Sequence, residues 1–213
     1  MEERKLTEKE SMELIAAMIE NTRQRLVRGA GDMLLFWGYL CVVVALLHSL
    51  LSYMYHVMGQ QLFFPVQAIW WLIPLIGIPY TMIAKRRNAR DRNVLTYSDK
   101  LSISLWDYVL WLSFAAMVIG ALFFISGFNV WYVMVLFTFF VVGMAISVQG
   151  MIINEKSMMW GGAFSVVCGG FLVAGMISGT SWLGMFTGPL FIIAFIVMMI
   201  IPGHILNHKA KKS

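Results

Sequence analysis

The chain has 213 residues, 60% of them hydrophobic and only 13% charged, with a mean hydropathy of +0.76; this balance excludes an ordinary water-soluble domain. A net charge of +5 would suit nucleic acid in a soluble protein, but here the basic residues border long apolar runs and face lipid headgroups instead. That removes nucleic acid from the expected partners and leaves the lipid bilayer.

Residues 1–32 form the only sizeable polar segment. Thr7 and Glu10 make a T-x-x-E capping box ahead of an apolar periodicity, which marks a helix start. Met12, Ile15, Ile19, Thr22 and Leu26 follow at three- and four-residue steps, widened by Leu14 and Met18, so the helix is amphipathic. Glutamates occupy its early part and Arg23, Arg25 and Arg28 lie next to the first apolar run. Anionic lipid attracts those arginines and repels those glutamates, so the helix does not lie flat along its length. It either docks on a partner or a second copy, or folds back under its own bundle. No cleavable signal peptide is expected, because the first apolar run is too long for one.

Leu6-Thr7-Glu8-Lys9-Glu10-Ser11, Glu13-Leu14-Ile15, Met18-Ile19 and then Trp37-Gly38-Tyr39 resemble the opening of a group of small six-span bacterial inner-membrane proteins with an acidic amphipathic N-terminal helix. The resemblance covers roughly the first forty residues. It implies a bacterial inner-membrane location and transfers no activity.

Six stretches are long enough to cross a bilayer, which takes about 20 apolar residues. They are Met33 to Tyr55, Val66 to Ala84, Asp107 to Ser126, Val130 to Ile153, Met158 to Ser178 and about Phe186 to Leu206. The expected fold is therefore all-α, a six-helix transmembrane domain over residues 33–206 between the N-terminal helix and a basic tail, 207–213. The run Lys85-Arg86-Arg87-Asn88-Ala89-Arg90-Asp91-Arg92 fixes its loop to the cytoplasmic side. Threading from it places both termini in the cytoplasm, with all 16 Lys and Arg residues on that side.

Within the spans, Pro74, Gly77 and Pro79 predict a kinked or locally unwound second helix, a candidate hinge. The fifth span carries Ser165-x-x-x-Gly169, Gly170-x-x-x-Ala174 and Gly175-x-x-x-Gly179, small residues four apart that let two helices approach closely. This places that helix at the bundle centre or at a dimer interface. Cys41 and Cys168 both fall inside apolar runs and read as small buried hydrophobes; neither a disulfide framework nor a zinc motif is indicated.

Two groups of polar residues are candidates for function, since ionisable groups inside a membrane are costly. His48, Ser52 and His56 share one helix face in the outer half of the first span. Gln67, Trp70, Trp71, Asn129 and Trp182 lie near the same level, giving an outward-facing polar and aromatic pocket for a small neutral ligand. The other reading is a histidine satisfied within the bundle beside an aromatic belt. On the cytoplasmic side, Asp107, flanked by Trp106, Tyr108 and Trp111, either pairs with an arginine of the basic loop or joins Gln149 and Asn154 in a polar network.

Enzymatic readings lack their motifs. There is no H-E-x-x-H, G-x-S-x-G or nucleotide-binding glycine loop, and Ser181 and His204 fall on opposite membrane faces. No cofactor or metal is implied. Size and span number are similar to substrate-binding membrane subunits of vitamin transporters, but the Ala-x-x-x-Ala docking pair of their first span is reduced here to Ala45. The sequence thus points to a non-enzymatic membrane anchor or regulator that docks a partner or another copy through its N-terminal helix, with small-molecule or lipid transport as the alternative.

Overall fold

A computed structural model describes residues 7–58, 66–90, 97–127, 136–179 and 181–212; for residues 19–29 and some others inside helices it describes the backbone alone. Among the described residues all the regular structure is helical. Helix α1 runs Glu8–Met58 and a 3-10 segment, Val66–Trp71, leads into α2, Leu72–Arg90. Helix α3 spans Tyr97–Ile125, and a π-helical turn, Phe137–Val142, opens α4, Gly143–Ile152. Helix α5 covers Lys156–Ile177; α6, Ser181–Phe195, passes through a second π turn, Ile196–Ile200, into α7, Ile201–Lys212.

Five of these stretches are long and apolar enough to cross a membrane: Ala30–Tyr55, Ala68–Arg86, Tyr97–Phe123, Lys156–Gly175 and Phe186–Lys211. The protein is an integral membrane protein on that ground. The apolar helix Phe137–Ile152 is shorter. The fourth expected span starts at Val130, within residues 128–135 that lie outside the described set.

The capping box forms as its spacing predicts. The Thr7 N–H and hydroxyl both donate to Glu10 Oε2 at 2.9 Å, and the Glu10 N–H donates to Thr7 Oγ1 at 3.3 Å. From there α1 continues for 51 residues with no interruption near residue 32. The N-terminal helix and the first span are one helix, so the arm does not fold back under the bundle.

Helix α1 packs against α2, α6, α7 and both short segments beside them; α5 packs against α4, α6 and the second π turn, while α3 reaches the bundle chiefly through α4. In lipid there is no hydrophobic drive between helices, so close backbone approach and shape carry the association. Gly162 shows this: a Cβ there would collide with the carbonyl oxygen of Gly143 on α4 and with Ser147. Gly161 likewise abuts the Val197 carbonyl and Met198 of the second π turn. Of the small-residue pairs expected to make such contacts, Ser165-x-x-x-Gly169 does, against Phe139; the other two do not. Gly170 and Gly179 have nothing within 4 Å, Ala174 is exposed, and of the four only Gly175 is buried. Within this chain the small-residue seam of α5 lies at Gly161, Gly162 and Gly169.

The core forms around Phe139, Phe191 and Phe195, with ring centroids 5.9 Å apart for the first pair and 4.6 Å for the second. Leu34, Cys41 and Val44 of α1 and Met198 of the π turn close it. At the second span, the departure from α-helix is the more tightly wound 3-10 segment Val66–Trp71, ahead of the prolines. Pro74 then sits in the first turn of α2, where a missing N–H leaves no intrahelical bond unmade, and only Pro79 interrupts the helix interior. Gly77 serves packing: the Trp37 indole of α1 lies against it so closely that a Cβ would strike the ring. One turn on, Tyr80 stacks on Phe36 with centroids 3.6 Å apart.

Candidate functional site

Charged and polar contacts between helices collect at one end of the bundle, the end where α2 stops and α3 begins. Lys85, the first residue of the basic run, is paired with Asp107 of α3. The Ser102 hydroxyl of α3 donates to Gln149 Oε1 of α4 at 2.9 Å. Lys209 of α7 donates to Glu155 Oε2, in the turn before α5, at 2.7 Å. Asn207 Nδ2 donates to Asp32 Oδ1 of α1 at 2.7 Å, and Tyr39 Oη lies 2.8 Å from His204 Nε2. Taken in turn, these contacts tie α2 to α3, α3 to α4, the α4–α5 turn to α7, and α7 to α1. The packing of Trp37 and Phe36 on α2 closes the circuit back to its start.

The members differ in environment. Lys85 and Asp107 are about half exposed, 47% and 48%, so solvent screens their pair. Glu155 is buried at 8% exposure beside a Lys209 that is 57% exposed. Burial pushes the Glu155 carboxyl up, but the hydrogen bond and charge of Lys209, with the Ser157 hydroxyl and N–H, outweigh it and hold its pKa below the ordinary carboxylate value. Ser157 Oγ donates to Glu155 Oε1 at 3.1 Å, so both carboxylate oxygens are engaged. The turn carrying Glu155 is a Schellman motif: the Glu155 N–H bonds to the Gly150 carbonyl and the Asn154 N–H to that of Met151. Asn154 takes the left-handed conformation this cap requires, at φ 55°.

Asp107 and Gln149 therefore occupy the same end but do not meet: each bonds to a different partner, and Asn154 is a helix cap. The sequence reading did not single out Glu155, Asp32, Asn207 or Lys209 as partners, nor Asp99, which is fully buried in the first turn of α3. A signal for Glu155 was present, since it is the only carboxylate after Asp107 and stands in the short turn between two long apolar runs.

On the opposite side, His48 and Trp70 do come together, their rings tilted at 5.3 Å. Trp70 then meets Phe191 edge to face at 5.3 Å. Burial of Trp70 to 7% exposure makes this contact part of the core. Ser52 is half-buried, whereas Trp71 faces outward at 56% exposure. Asn129 lies outside the described residues, as do the side chains of His56, Gln67 and Trp182. Among the described residues, no three His, Cys, Asp or Glu side chains gather as metal ligands would.

Comparison of the chain with protein families, with curated proteins and with solved structures found no match.

Proposed function

We propose that this protein is a non-enzymatic membrane anchor or regulatory subunit that holds a partner through its N-terminal helix. In this reading it has six spans, with both termini on the cytoplasmic side of a bacterial inner membrane, as the opening residues and the one-sided basic charge suggest. The observation that carries it is the length of α1. Its spanning part is Ala30–Tyr55, so residues 8–29 add about 33 Å of helix beyond it. Met12, Ile15 and Met18 on that arm are exposed at 73%, 56% and 59%. No lipid reaches such a face once the arm stands off the bilayer, and its glutamates are repelled by an anionic membrane surface. An amphipathic helix of this kind is suited to an apolar groove on another protein. The test replaces Met12 and Ile15 by Glu and follows assembly by native mass spectrometry in mild detergent. The variant should lose its partner, or its self-association, while thermal unfolding of the bundle stays unchanged; an assembly state identical to wild type would remove the support for docking.

A second reading, a ligand-binding or transport protein with a polar and aromatic pocket, requires the buried His48–Trp70 contact to open. Under it, His48→Ala and Trp70→Ala weaken retention of a co-purifying small neutral molecule.

A further inference from the structure

Helix α3 is anchored at one end and splayed at the other. Its polar contacts, to Lys85 and Gln149, are made by Asp107 and Ser102, and beyond the buried Val109 its large side chains from Leu110 to Ile125 are mostly exposed. Only 11% of its spanning window is buried. Between this free half and the first π turn lies a cleft of about 490 Å³, open along much of its length. Leu112, Ala115, Ala116 and Phe123 form one wall, and Phe137 and Phe140 face them across it. None of the side chains lining the cleft carries a hydrogen-bonding group, so water has nothing there to bind.

We infer that this cleft holds one acyl chain of a bilayer phospholipid, lying parallel to α3. Three features of the site support this occupant. The cleft opens onto the lipid-facing surface of α3 and is continuous with it, so hydrocarbon is the medium at its mouth. An unfilled groove there would forfeit contacts that a chain restores. From Leu112 to Phe123 the helix rises about 17 Å, close to the about 15 Å that one leaflet contributes to the hydrocarbon core. The walls are also shaped for a narrow guest: Ala115 and Ala116 leave room on α3, while the π turn, a distortion frequent at functional sites, supplies the facing aromatic wall. This inference stands apart from the docking reading and rests only on the protein being embedded in a membrane.

The test reconstitutes the full chain in phosphatidylcholine vesicles that include a small fraction of phosphatidylcholine bearing a photoreactive diazirine in mid-chain. After illumination, the adducts are mapped by peptide mass spectrometry. Labelling of Leu112–Phe123 and of Phe137–Val141 is expected to exceed, several-fold, that of Val167, a lipid-facing residue of α5 outside the cleft. Ala116→Trp, which fills the groove, should abolish the excess and leave Val167 labelling intact; Val118→Trp, on the exposed side of α3, should leave both intact. Wild-type labelling of the cleft no higher than that of Val167 would overturn the inference whatever the variants do. So would an excess that survives Ala116→Trp.

Discussion

Lys209 of the last helix reaches 2.7 Å to Glu155 in the turn between α4 and α5, joining two parts of the chain that are far apart in sequence. The carboxylate is buried and its pKa is held below the ordinary 4.5. A group whose folded pKa is depressed contributes stability in full above its unfolded value and loses it as pH falls through the folded one. Thermal stability in detergent should therefore drop as pH falls below 4.5, and the part of that drop due to Glu155 should vanish in Glu155→Gln. Lys209→Met, which leaves the carboxylate buried without its cation, should cost about 1–2 kcal/mol at neutral pH. The double variant Glu155→Gln/Lys209→Met should cost less than the sum of the two single changes.

Two glycines of α5 separate packing from mere composition. Gly162→Ala places a methyl against the Gly143 carbonyl oxygen, backbone that cannot rotate away. Overpacking of this kind is expected to cost about 1–3 kcal/mol, read as a lowered unfolding temperature. Gly170→Ala meets nothing within 4 Å and should be neutral, or stabilising by up to about 1 kcal/mol through helix propensity. Equal destabilisation by both would refute the assignment of the seam to Gly161, Gly162 and Gly169.

Topology is open to a direct check. With Cys41 and Cys168, both buried, replaced by Ala, a single cysteine at Gly127 should react with a membrane-impermeant maleimide on intact cells. One at Arg86 should react only after permeabilisation. The reverse pattern would invert the placement of the arm and of the polar circuit.

What the sequence disclosed was chiefly what is local. Thr7 and Glu10 lie three residues apart and form their cap wherever the helix goes. Five of the six expected apolar runs declare themselves by length. Asp107 was expected either to pair with an arginine of the basic loop or to join a polar network; its partner is Lys85, at the head of that loop. The misses are relations between distant segments. Helix α5 carries glycines on more than one face, and spacing alone cannot say which face meets α4. Asn207 and Asp32, or Lys209 and Glu155, become partners only once α7 is laid against α1 and the α4–α5 turn. Gly77 stands between prolines, and nothing in its spacing says that the Trp37 indole of another helix lies against it.

Because α1 carries the exposed arm and the membrane crossing in one uninterrupted rod, a load placed at its tip is not dissipated at a joint. Tilting the first turns leans the whole lever against α7, whose Gly203 abuts Leu35 and whose Asn207 crowds Gly31. A protein seated on Met12 and Ile15 would thus have a mechanical handle on the far side of the bilayer, as far as the level where His48 rests on Trp70.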